Sequence, residues 1–345
     1  MTIEHGREIV KKAINFKTPS RLPVRFSDAN AVDFLDIRIL DDRGLNLLVE
    51  KYKNQFTKDE WGCIWKTEDS VAQGSMGEVN NRVINNWNEI ATYKTPDPDD
   101  PSRYKGFDEE LKKREDKYVI AFHHHILFER MHFLIGFCEL LEGFYTNYKK
   151  VNMLADMVLD FQVKVIRNLS KRFKGYIDGF WTTDDWGTQT SLLISKEIWR
   201  DIFKPRYKII GDELKQAGMD WWLHSCGKIN DLINDFKDMG VKVINTYQPL
   251  CLNLEEVGKE FKGEICFETT IDIQKSIYKK NEYIRQEAFD IVKNFSTKKG
   301  GLTVTEYVHV GPLASTRGKD YFDRCKLNKS IYEYFNEAYK YYYKN

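Results

Sequence analysis

The segment His224-Ser225-Cys226-Gly227 carries residue types suited to holding a soft metal ion. An imidazole and a thiolate two residues apart leave the same face of an extended backbone, so both can grip one ion. That pair suits zinc, and catalytic zinc sites add a third protein ligand and keep a fourth position open. The same spacing has an ordinary reading, a buried thiol beside a hydrogen-bonded core histidine. Cys251, Cys266, Glu306 and His309 all lie at or near the ends of other apolar runs and offer a third donor. Glu306 ranks first of the four. Cys266 sits inside an apolar run, where cysteine more often serves as a small core residue.

Carboxylates and amides occupy similar places. Asp184 and Asp185 follow the run Ile177 to Trp181, and as neighbours on an extended segment they point to opposite faces. One is expected to hold substrate or orient a ligand while the other caps the next helix. Gln248 follows Val243-Ile244-Asn245, and Asp272 follows Ile265-Cys266-Phe267. With the two aspartates they form the candidate catalytic set. In the triple His123-His124-His125 at most two side chains can face one side, and a solvated loop is the plainer reading.

Groups at the ends of apolar runs do chemistry together when the runs are parallel strands, because the loops that follow then converge. From residue 117 onward the chain alternates short apolar runs with long helical patterns. The strands are read as Tyr118 to Phe122, Ile177 to Trp181, Trp221 to Ser225, Val241 to Thr246, Gly263 to Phe267 and Leu302 to Val308. Helices are read at Leu154 to Arg172, Lys196 to Gln216, Ile229 to Met239 and Asn281 to Phe295. Strand, helix, strand in repetition implies a parallel sheet with right-handed crossovers. With Val24 to Phe26 seven strands are visible, which favours a closed (β/α)8 TIM barrel of class α/β over an open sheet.

One domain over residues 1–345 is expected, with an N-terminal helical extension at Arg7 to Phe16 and an insertion at the barrel mouth over about 45–115. The stretch from Lys51 to Pro101 is rich in Trp, Asn and Asp and reads as hairpin-like. Its Trp61, Trp65 and Trp87 are expected to line a pocket or form a lid. The tail, with Ile331, Tyr334, Phe335 and Ala338 at helical spacing, closes the chain as an amphipathic helix.

Composition narrows the function classes. Basic and acidic residues nearly cancel, 53 against 52, so no overall field draws nucleic acid or an anionic membrane. With 42% hydrophobic residues the chain can bury a large core. The N-terminus has no apolar leader, and no window has the ~18 apolar residues a spanning helix needs, so a cytoplasmic protein is expected. Six scattered cysteines suit free thiols or metal ligands better than disulfides. A homodimer is compatible with the aromatic content.

Several segments together resemble the uroporphyrinogen decarboxylase superfamily, in particular its methyltransferase-like branch that serves corrinoid proteins. They are Thr18-Pro19-Ser20-Arg21-Leu22-Pro23-Val24, Thr183-Asp184-Asp185-Trp186-Gly187-Thr188-Gln189, Ile194-Ser195 before Lys204-Pro205-Arg206-Tyr207, His224-Ser225-Cys226-Gly227, Asn245-Thr246-Tyr247-Gln248-Pro249 and Ile271-Asp272-Ile273-Gln274. The resemblance implies a (β/α)8 barrel holding zinc through a His-x-Cys pair and a distant cysteine on the last strand. His224 and Cys226 match the pair. At the distant position this chain has Glu306 or Tyr307 instead, so Glu306 enters the metal set beside them.

The activity so implied is zinc-dependent transfer of a methyl group between a corrinoid (cobalamin) carried by a partner protein and a small thiol, folate or methylated metabolite. A second reading is a lyase, decarboxylating a porphyrin-like or small carboxylate substrate near Asp184 or Asp185. Such a lyase needs cationic groups for its substrate, for which Arg21, Arg25, Arg206 and Arg317 are the candidates. A third is a barrel that binds a ligand or corrinoid partner without turnover.

Overall fold

The computed structural model describes residues 4–39, 56–66, 78–277, 279–306 and 319–344. Twelve strands are present among them. They are β1 (Val24–Phe26), β2 (Ala31–Val32), β3 (Phe34–Arg38), β4 (Phe56–Lys58), β5 (Ile64–Lys66), β6 (Glu78–Asn81), β7 (Tyr118–His123), β8 (Gly179–Thr183), β9 (Asp220–His224), β10 (Val241–Thr246), β11 (Cys266–Thr269) and β12 (Leu302–Thr305). Nine form one sheet in the order β2-β1-β12-β11-β10-β9-β8-β7-β3. Every pairing in it is parallel except the short β1–β2 contact. β1 and β3 end the parallel run, and the Arg25–Asp36 ion pair joins them across the remaining seam. This is the expected TIM barrel. The strand missing from the sequence reading is β3, whose Phe34-Leu35-Asp36-Ile37-Arg38 mixes charge with apolar residues.

The strands are apolar along their length because both faces are covered. Tyr118, Ile120, Trp181, Trp222, Val243 and Cys266 alternate inward and fill the barrel with Phe34. Val119, Ala121, Phe180, Trp221, Leu223, Ile244 and Phe267 face the surrounding helices. The N-terminal end is plugged by the helix Gly6–Ile14, whose Val10 and Ile14 join the inner cluster. Arg7 and Lys11 of that helix fasten it to buried Asp178, just before β8.

Helices Tyr148–Arg172, Lys204–Ala217 and Asn281–Phe295 lie close to the expected spans. The second is preceded by a wide-turn segment, Trp199–Phe203, that interrupts the single helix expected from Lys196 to Gln216.

The insertion contains an antiparallel sheet, β4-β5-β6. It packs on the loop and helix that follow β7. Trp65 stacks on His125 at 6.0 Å, Trp61 meets Phe161 edge-on at 4.7 Å, and buried Arg130 pairs with Asp59 at 2.9 Å. Trp61, Trp65 and Trp87 are 3%, 2% and 8% exposed, so they anchor the insertion rather than line an open pocket. Indole N–H groups of Trp65 and Trp87 are consumed by Asp59 and Glu139, which holds both rings in place.

Candidate metal centre

β8 and β9 are neighbours, with Thr183 registered on His224. Beyond them the two loops run backbone against backbone. The Asp184 N–H donates to the His224 carbonyl at 3.0 Å, and Lys228 N–H to the Thr188 carbonyl at 2.8 Å. Trp186 N–H donates to Ser225 Oγ at 3.0 Å, and Cys226 N–H to Asp185 Oδ1 at 2.8 Å. Such proximity requires glycine on both sides. A Cβ on Gly187 would stand 2.6 Å from Lys228 N, and one on Gly227 2.3 Å from the Gly187 carbonyl oxygen. Gly227 also has a φ of +80°, a conformation that side chains other than glycine's rarely adopt.

The zipped loops bring three donors together. One ligand atom each from Asp185, His224 and Cys226 lies within 4.8 Å of the others. His224 Nε2 is 3.4 Å from Cys226 Sγ and 3.7 Å from Asp185 Oδ1. His224 is buried between Trp181 and Tyr247, at ring distances of 5.6 and 5.2 Å, whereas Asp185 and Cys226 are half-buried and open toward the mouth. One imidazole, one thiolate and one carboxylate with an accessible side fit a catalytic zinc site. Burial, then the Asp185 carboxylate, push the Cys226 thiol well above its ordinary range. Thiolate at this position therefore calls for a compensating cation.

The other candidates lie elsewhere. Glu306 turns away at the end of β12, accepting from Ser27 Oγ at 2.9 Å and Asp28 N–H at 3.3 Å. Cys266 lies a layer below the mouth in the apolar plug. Cys251 is buried among the Gln189 and Gln248 side-chain oxygens and Lys275 Nζ, at 3.6 to 3.7 Å. His309, Tyr307 and Arg317 are outside the described residues.

Asp184, fully buried, accepts the N–H groups of Phe128 and Glu129 at 3.0 and 2.8 Å and the Tyr207 hydroxyl at 2.7 Å. It caps the helix Phe128–Ile135 from across the sheet instead of the next helix in sequence. Glu129 is buried beside it, with Thr183 Oγ donating to its carboxyl at 2.5 Å. Burial pushes both acids up, to about 8, reinforced at Glu129 by the Asp185 charge and at Asp184 by the Glu129 charge. Asp184, with three donors against one for Glu129, holds negative charge the better of the two.

Asp272 likewise organises its own loop, accepting from Gln274 and Lys275 N–H at 3.0 and 2.7 Å and from Leu250 N–H at 3.3 Å. Gln248 is half-buried at the mouth, 3.7 Å from Cys251 Sγ through its side-chain oxygen.

Deeper in the mouth, Asn245, Glu268 and Asp36, given no role from sequence, link His224 to Arg25 in a ring of polar groups. His224 Nδ1 meets Asn245 Oδ1 at 2.5 Å, Asn245 Nδ2 donates to Glu268 Oε2 at 2.8 Å, and Arg25 bridges Glu268 and Asp36. Asn245 and Glu268 each lie two residues beyond an inward apolar side chain, Val243 and Cys266. Strand alternation alone therefore places them inside.

Residues 71–303, more than half of the chain, match the profile of the family described as "Uroporphyrinogen decarboxylase (URO-D)". The chain belongs to the uroporphyrinogen decarboxylase family. Among curated proteins no sequence matches this URO-D family member. Among solved structures, native xylanase 10B from Thermotoga maritima shares 12% identity over 98% of each chain with a TM-score of 0.42. A 3-keto-D-glucoside 4-epimerase from E. coli shares 9% identity over 66% of this chain and 85% of its own, at a TM-score of 0.41. A D-psicose 3-epimerase shares 10% identity over 74% and 85%, at a TM-score of 0.37. At these levels the likenesses say nothing about the substrate of the URO-D family member. No described helix is long and apolar enough to cross a membrane.

Proposed function

We propose that this URO-D family member is a cytoplasmic, zinc-dependent methyltransferase moving a methyl group between a corrinoid protein and a small thiol, folate or methylated metabolite. The observation supporting it is the gathering of Asp185, His224 and Cys226 within 4.8 Å at the C-terminal ends of β8 and β9. Zinc held there would lower the pKa of a thiol or water taken up as a fourth ligand and present it as a nucleophile. Asp185 replaces the distant cysteine of the resemblance as the third protein donor. Its second task is to accept the Cys226 N–H, which fixes the loop carrying the thiol. Trp181 and Tyr247 flank His224 and shield its ring from water.

Among the described residues, the arginines that the lyase reading calls on are held by carboxylates. Arg21 is paired with Asp33, Arg206 with Asp156, and Arg25 with both Asp36 and Glu268. Each described arginine candidate is thus already engaged by a carboxylate. The test follows the absorbance of methylcobalamin with the purified protein and a series of thiols and tetrahydrofolate. Demethylation that Cys226→Ala abolishes is the expected result. No change with any acceptor, together with carbon dioxide release from a carboxylate substrate, would overturn the proposal in favour of the lyase.

A further inference from the structure

A neutral imidazole exists as two tautomers, and only the one with its proton on Nδ1 leaves Nε2 free to bind a metal. In this chain the atom nearest Cys226 Sγ is Nε2, so the tautomer decides whether His224 can serve. Its Nδ1 faces Asn245 Oδ1 at 2.5 Å. An asparagine presents an acceptor or a donor depending on which way its amide lies, and the partner at its far end settles which. Here that partner is a carboxylate, Glu268 Oε2, at 2.8 Å. Burial raises the Glu268 pKa, Arg25 beside it favours the ionised form, and an ionised carboxylate only accepts, so the amide nitrogen points to Glu268 and the amide oxygen to His224. His224 Nδ1 is thereby forced to be the donor.

Glu268 is itself held. Its other oxygen is 3.3 Å from Arg25 Nη2, and Arg25 is anchored by Asp36 and by the face of Phe34, 4.1 Å from the guanidinium carbon. Register explains the arrangement. His224 is paired with Asn245 across β9 and β10, and Asn245 with Glu268 across β10 and β11, so all three point into the barrel.

We infer that Asn245 is a positioning residue that fixes His224 in its metal-binding tautomer, and that Glu268 sets the orientation of Asn245. The inference rests on reading the Asp185, His224 and Cys226 cluster as a metal site. A merely structural role for the two residues, satisfying buried polar groups, would leave the tautomer indifferent to them.

Two measurements on the full chain separate these cases. In metal-free protein labelled with ¹⁵N-histidine, at mildly alkaline pH, the His224 ring nitrogens should show a protonated Nδ1 and a bare Nε2. Asn245→Leu should lose that preference, Glu268→Gln should weaken it because a second amide lets Asn245 turn over, and Asn245→Asp should restore it. Zinc affinity, read by competition with a chromophoric chelator, should fall roughly 10- to 100-fold in Asn245→Leu, as for lost outer-shell partners elsewhere. It should stay within a few-fold of wild type in Asn245→Asp. A bare Nδ1 in the wild type, or an Asn245→Leu protein of wild-type tautomer and affinity, overturns the inference. If the wild type binds no zinc, the metal reading fails by itself, and the tautomer still decides the role of Asn245.

Discussion

Adjacent carboxylates with opposite duties are the clearest consequence of strand geometry in this molecule. Asp185 looks into the mouth at His224 and Cys226, and Asp184 looks back into the core at a helix end. Exchanging each for its amide should separate the two. Asp184→Asn places an amide N–H against donor groups in a fully buried site and is expected to cost about 1–3 kcal/mol of stability. Thermal melting would show that loss. Asp185→Asn keeps an oxygen for the Cys226 N–H, so the metal-free protein should melt like wild type while zinc affinity falls; a marked loss of stability would contradict this division. The opposed faces were legible from adjacency, and His224 with Cys226 from their spacing of two. Which aspartate faced His224 and Cys226 was not legible, because the helix N–H groups that Asp184 caps lie 55 and 56 residues away in sequence. Glu306 suited the role by residue type and strand position, but its carboxylate is occupied by Ser27 and Asp28 on a loop distant in sequence.

Among the elements, the loops after β8 and β9 act as one unit because Gly187 and Gly227 let their backbones touch. Gly187→Ala would place its Cβ 2.6 Å from Lys228 N and 2.7 Å from the Cys226 carbonyl oxygen, forcing the loops apart. A displacement costing about 1.4 kcal/mol at the centre corresponds to roughly tenfold weaker zinc binding. Chelator competition should reveal at least that loss with the circular dichroism of the barrel unchanged; wild-type affinity would show that the loops do not set the ligand spacing. Most strands and helices could be read from apolar runs, since strands buried on both faces announce themselves without alternation. β3 could not, because exposed Asp36 and Arg38 break the run. The tryptophans of the insertion were conspicuous by type, yet only their partners Asp59 and Glu139 show that they are anchors.

For the molecule as a whole, the barrel closes a layer of apolar side chains under a ring of charged ones, and several acids pay for burial with raised pKa values. Glu287 is the simplest case, pushed to about 7 by burial while accepting the Asp272 N–H at 2.7 Å. An acid with a raised folded-state pKa contributes fully below its unfolded value, near 4.5, and that contribution is lost as pH rises through about 7. The shift corresponds to something on the order of 3 kcal/mol. Half-buried His132, lowered to about 3 by desolvation, His125 and Arg130, acts in the opposite direction as pH falls below the ordinary histidine range. The prediction is therefore a difference: relative to wild type, Glu287→Gln should gain stability between pH 5 and pH 7, and parallel denaturation curves at both values would refute it. The central claim is a metal at the C-terminal mouth of this barrel, and metal analysis of the purified wild type beside Cys226→Ala tests it most directly. About one zinc per chain in the wild type and none in the variant is the predicted result; a wild type that is metal-free and fully active would contradict the account.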